Sequence, residues 1–151
     1  SAFNRRHGRV GTLWDGRFRT SLLDAKTFLL QAILHIEALP VRTGLVTAAH
    51  DWRWSSAAHY SGHRRDPLVT DHALYWRLGN TPFERERAHA LALDKSQQEA
   101  DDPRFDRAVA KALVLGPAGF VHRISESLGR PLTSRTRGRP PSRVARKTVP
   151  N

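Results

Sequence analysis

Residues 25–38 read Ala-Lys-Thr-Phe-Leu-Leu-Gln-Ala-Ile-Leu-His-Ile-Glu-Ala, the strongest helical pattern in the chain. Apolar side chains cover most of the circumference of that helix, so it belongs at the centre of the fold, with other elements around it. Asp24 is placed to cap its start. Pro40 is expected to stop it near Ala38, and Gly44 then permits a turn. Hydrophobic residues make up 39% of the 151, enough for one core of modest size.

The surrounding elements are shorter. Residues 3–12 are basic and glycine-punctuated, and read as a loop with the start of a strand. Leu13 to Leu23 alternates in part around the turn signal Asp15-Gly16, which predicts a short N-terminal strand pair. Phe18 is expected to fill the core of that small hairpin, whereas Trp14 suits either its core or an exposed stacking surface. Ser55 or Ser56 could cap a short helix, and Tyr75 beside Trp76 reads as core or rim. Thr81 and Glu84 have capping-box spacing for a helix from about Pro82 to Gln98. Asp102-Pro103 opens another, with Phe105, Val109, Ala112 and Leu113 on one face and Gly116-Pro117 as its breaker. Phe120, Ile124 and Leu128 mark a last helical face, closed by Gly129. Beyond Pro131 no apolar face remains, and a disordered tail is expected. The fold class is α+β and mainly helical.

Charge is concentrated at the ends. Residues 1–20 hold five arginines against Asp15, and residues 131–151 hold six bases and no acid. The stretch between is nearly neutral, although the whole chain carries +11. Basic material flanking a neutral body is the footprint of a nucleic-acid binder. Arginine outnumbers lysine, which favours planar, bidentate contacts to phosphate and guanine. In the tail, Arg137-Gly138-Arg139-Pro140 resembles the core of an AT-hook, with two guanidinium groups around a residue lacking a side chain. Such a string suits the narrow, negative minor groove of A·T-rich DNA, or else loose contact with any polyanion. No basic amphipathic helix or lipidation signal points to a membrane surface. The lack of cysteine excludes disulfides and thiolate zinc sites and fits the cytosol. A cytoplasmic, nucleoid-associated protein is expected.

Asn4, Arg5, Arg6, Arg9, Gly11, Thr12, Trp14, Arg17 and Arg19 form an arginine-rich, glycine-punctuated opening segment. Together with later blocks it resembles the REP-associated tyrosine transposases, a branch of the single-tyrosine HUH nucleases. Those blocks are His35-Ile36-Glu37-Ala38-Leu39-Pro40-Val41-Arg42-Thr43-Gly44-Leu45-Val46, then Trp54-Ser55-Ser56, then Leu128-Gly129-Arg130 and the Arg137–Pro140 string. They occur in the family's order. The resemblance implies the C-terminal part of a ferredoxin-like HUH nuclease domain over residues 1–62, a helical extension over 63–130 and a basic tail over 131–151. It implies a DNA substrate, single-stranded or folded into a hairpin, DNA contacts from the opening segment and from Arg42, Arg135, Arg137, Gly138 and Arg139, and a homodimer for an intact member. It also implies attack by a tyrosine hydroxyl on a phosphodiester polarised by magnesium or manganese held by two histidines.

The chain departs from that pattern at both chemical positions. His35 stands where the family has its tyrosine, and Leu39 replaces an asparagine. An imidazole is shorter and presents its nucleophilic atom elsewhere, a displacement that costs heavily in catalysis. No His-hydrophobic-His triplet occurs, and His59 with His63 has the wrong spacing and Gly62 between them, so no metal or cofactor is expected in this chain. The family's metal-binding strand lies upstream of this region, so the N-terminal half of the nuclease domain is expected to be missing. That would leave an open sheet edge. Neither Tyr60 nor Tyr75 has the family's nucleophile context, and Glu84, Glu86, Asp101 and Asp102 read as solvated surface. Three readings stay open: a transposase-family DNA-binding protein inactive on its own, a non-enzymatic DNA-binding module, and a remnant without function.

Overall fold

The computed structural model describes residues 2–12, 16–99 and 102–132, and is mainly helical. A long helix, α2 (Ala25–Arg42), runs through the centre and buries Ala32, His35, Glu37, Ala38 and Pro40. Two earlier elements precede it, α1 (Ala2–Arg6) and β1 (Leu22–Leu23). A 3-10 turn at Ala49–Asp51 and the single-turn helices α3 (Ala57–Tyr60) and α4 (Ala73–Trp76) follow. The second long helix, α5 (Pro82–Gln98), packs along α2. The chain then forms α6 (Pro103–Lys111), β2 (Val114–Leu115) and α7 (Ala118–Leu128).

The central cluster is small. Ala38, Ala49, Ala57 and Leu93 are buried together, with Leu34 and Val41 packed against them. Alanines let the helices approach closely but supply little apolar area. The largest fully buried side chains are instead polar, Glu37 and His89. His89 Nε2 lies 2.7 Å from Glu37 Oε2, and Ser56 Oγ donates to Glu37 Oε1 at 2.6 Å. The rings of Tyr60 and Tyr75 lie 5.1 and 6.0 Å from that of His89, and Tyr75 donates its hydroxyl hydrogen to the Tyr60 carbonyl. Residues on either side of position 62 therefore share one core.

Several helix signals work locally. Thr81 and Glu84 form both hydrogen bonds of a capping box, and Asp102 accepts from the Arg104 N–H. Gly129 closes α7 at φ 60°, a backbone region in which glycine is unstrained. Leu132, just past Pro131, is buried. Asp24 marks the start of α2, but its carboxylate accepts from the Thr27 hydroxyl, not from a backbone N–H.

Other expectations need correction. The helix does not stop before Pro40 but runs on to Arg42. Proline removes the N–H that would reach the Ile36 carbonyl, yet the final turn is closed by other donors. Thr43 N and Thr43 Oγ1 both reach the Leu39 carbonyl, and Leu45 N reaches that of Pro40. The expected N-terminal strand pair is not formed by the described residues. Residues 2–6 are helical, and β1 pairs in parallel with β2, with Leu22 opposite Val114 and Leu23 opposite Leu115. Phe18, expected in a hairpin core, is 90% exposed, and Val10 is equally bare. A hairpin there has few apolar side chains with which to build a core, whereas Val114-Leu115 offers β1 an apolar partner. The seam is reinforced by Asp24 N to Leu115 O, by Ser21 Oγ to Leu113 O and by Arg19 Nη1 to Ala110 O. On α6 the buried residues are Phe105 and Ala108, while Val109 turns outward. The helix ends at Ala112, which adopts φ 49° without being glycine.

Removing one member of the buried polar set should be costly, because the others keep their desolvation penalty without their hydrogen bond. Glu37→Ala is expected to lower stability by about 3 kcal/mol and Ser56→Ala by about 1 kcal/mol, read by urea denaturation. A Glu37→Ala protein as stable as the wild type would refute this account of the core.

Candidate nucleic-acid interface

The opening arginines stand on α1 and the loop after it. Asn4 donates its amide hydrogen to the Gly11 carbonyl at 2.7 Å, and Arg9 N donates to the Asn4 carbonyl. These bonds fold residues 4–11 into a closed turn. Arg5, Arg6, Arg9, Gly11, Thr12 and Arg17 are all exposed on it or just beyond it. Arg19 is exposed too, but its guanidinium already holds the Ala110 carbonyl. Trp14 lies outside the described residues, as do Arg135, Arg137, Gly138, Arg139 and Asp101.

Arg42 is not part of that surface. It leaves the last turn of α2 and donates through Nη2 to the Ser96 carbonyl at 2.6 Å, which ties α2 to α5. Its Nη1 lies 3.4 Å from Nδ1 of His35. His35 is buried, its ring packed 4.9 Å from that of Phe105, with Nε2 3.6 Å from Asp106 Oδ1. Both ring nitrogens thus face charged protein groups.

A cleft of about 370 Å³ opens beside His35 and Arg42, lined also by Gln31, Lys95, Glu99 and Arg104. Arg104 grips Asp102 with two nitrogens, Nε at 2.9 Å and Nη2 at 2.7 Å from Oδ2. That side-chain bond holds the Asp102 carboxyl below its usual range and raises Arg104. Cations and acids both line the cleft, and its two guanidinium groups are already engaged. The arrangement does not assemble a nucleophile, a base and an electrophile around one point.

Neither tyrosine is poised for attack. Tyr60 and Tyr75 are both buried. Burial pushes the Tyr75 hydroxyl up to about 12, with the Glu86 and Asp71 carboxylates adding to the effect. Burial raises Tyr60 as well. His59 is held between two partners, Asp66 N–H at Nδ1 and Asp71 at Nε2, so it is not paired with His63. The ring of His63 stacks on His50 at 4.0 Å. Among the described residues no three His, Asp or Glu side chains converge as a metal site. The described residues therefore offer no such cluster to the divalent metal implied by the resemblance. No helix among the described residues is long and apolar enough to cross a membrane.

One cluster escaped the sequence reading. Trp54 and Arg53 from one loop line a groove shared with Arg64 and Arg65 from another. The signal was present in Trp52-Arg53-Trp54 and Arg64-Arg65, but a near-zero charge over 21–130 hid it.

Compared with known proteins, the chain matches no family model, no curated protein and no solved structure.

The buried tyrosines have a spectroscopic consequence. Each keeps its proton in the folded state beyond the pH at which the unfolded chain releases it. Their contribution to stability is thus complete below about pH 10 and is lost as pH rises through the folded value, about 12 for Tyr75. Absorbance at 295 nm should show little tyrosinate at pH 10 until the protein unfolds; half-ionisation at that pH in folded protein would contradict the burial.

Proposed function

We propose that this chain is a DNA-binding protein of the transposase type that does not cut DNA on its own. The observation that carries the reading is the exposure of Arg5, Arg6 and Arg9 on a closed turn, and of Arg17 with its chain neighbour Phe18, which is 90% exposed. Guanidinium groups in the open neutralise phosphates and release counterions. A bare aromatic ring next to Arg17 offers a stacking surface for an unpaired base. The similarity of the His35–Val46 and Trp54–Ser56 segments to REP-associated tyrosine transposases supports DNA hairpins as substrate and transposition as the process. The buried, doubly flanked His35 and the buried tyrosines support a role without strand cleavage by this chain. A non-enzymatic binding module aided by the Arg137–Pro140 string is the second reading, favoured by the charge of the tail.

Affinity for a hairpin oligonucleotide, measured by fluorescence anisotropy, should fall steeply from low to moderate salt. Replacing Arg5, Arg6 and Arg9 together by alanine should reduce the slope of log K against log salt by about 2. A flat salt response in the wild type would reject phosphate-driven binding. Incubation with single-stranded hairpin DNA and magnesium or manganese should give no covalent adduct. A protein–DNA band that disappears in His35→Ala would overturn the non-cutting role.

A further inference from the structure

We propose a second nucleic-acid surface, a groove between the Arg53–Ser56 loop and residues 64–69, that takes an unpaired base on Trp54 and its flanking phosphates on Arg53, Arg64 and Arg65. It rests on the DNA-binding reading but uses none of the opening arginines. The groove is about 520 Å³ and open to solvent. Trp54 is 77% exposed, and the Arg53 guanidinium lies over its ring at 5.2 Å. An indole left in water has no packing role here, and a planar cation beside it makes a ready stacking platform.

The loops are held in place by the fold. Ser55 and Ser56 anchor one wall, Ser55 Oγ accepting from Ala57 N and Ser56 Oγ donating to buried Glu37. Gly62, at φ 76°, turns the chain out of α3 against α5, and a side chain there would meet Glu86 Oε2 at 2.5 Å. Arg64 N then reaches back to the Ala58 carbonyl, and Arg64 Nη2 to the Arg53 carbonyl. Among the lining residues Asp66 is the only acid. Its Oδ1 caps Leu68 N at 3.0 Å and its Oδ2 lies 3.5 Å from Arg64, so it braces the loop. Three guanidinium groups against that one carboxylate favour an anionic occupant. The aromatic platform between them favours one with flat rings, which a single-stranded nucleic acid has and an acidic peptide lacks.

The test is anisotropy with three equal-length DNA ligands: a single strand, the same strand with abasic sites, and a fully paired duplex. Trp54→Ala should weaken the intact single strand roughly 5- to 150-fold, leave the duplex unchanged and lose its effect on the abasic strand. Trp54→Phe should restore most of the loss. Arg65→Ala should weaken all three and lower the salt slope. Because Trp54 is exposed, circular dichroism and the melting temperature of both variants should match the wild type. Unchanged single-strand affinity in Trp54→Ala, with the Arg5, Arg6 and Arg9 replacements still harmful, would sink this groove and leave the terminal interface standing. A matching loss for heparin would make it a general polyanion surface and overturn base stacking. Failure of the wild type to bind any ligand would overturn both proposals.

Discussion

The carboxyl group of Glu37 is the point on which the fold turns. From the middle of α2 it reaches Ser56, just before α3, and His89, in the middle of α5. Around it the apolar core is mostly alanine. Alanine contacts are tolerant: two helices lined with them can slide with modest loss. A carboxyl with two fixed partners is not tolerant, because any shift strands a buried polar atom. The hydrogen-bonded set thus selects one register for three elements that apolar packing alone would define loosely. Tyr60 and Tyr75 extend the same arrangement, the first with its ring tilted against that of His89 and the second edge-on to it.

That division of labour leaves the surface free for charge. The interior is held by hydrogen bonds among a few residues, while most arginines lie on exposed helix faces and loops. Two of those that looked like surface residues in the sequence are recruited to the fold. Arg42 joins α2 to α5 through Ser96, and Arg19 secures the seam next to β2. Arginines serving structure and arginines facing solvent are separated by partner, not by position along the chain.

Much of this was legible in the sequence where the signal is local. The capping box at Thr81 and Glu84, the Asp102 cap and the Gly129 terminator each depend on neighbours within a few residues. The helix periodicity of 25–38 named the central element correctly. What failed was non-local. Pro40 breaks one hydrogen bond in any helix, but whether the helix ends depends on donors such as Thr43 and Leu45. Leu22-Leu23 reads as a strand, yet its partner lies far along the chain, and no local pattern could name Val114-Leu115. Within the candidate site, exposure of the opening arginines followed from their density. The burial of His35 and the groove that Trp54 shares with Arg64 and Arg65 required the packed structure.

The parallel seam between Leu22-Leu23 and Val114-Leu115 also biases the order of events during folding. Its two strands are separated by nearly the whole core, so bringing them together carries a large loop-closure entropy unless the intervening helices have already condensed. Condensation of the α2–α5 pair lowers that cost, which favours the seam closing onto it afterwards. During synthesis β1, and the Arg19 contact beside it, therefore wait for their partners until residue 115 has emerged. Throughout that interval the Arg19 guanidinium, held in the finished fold by the Ala110 carbonyl, is open to other acceptors.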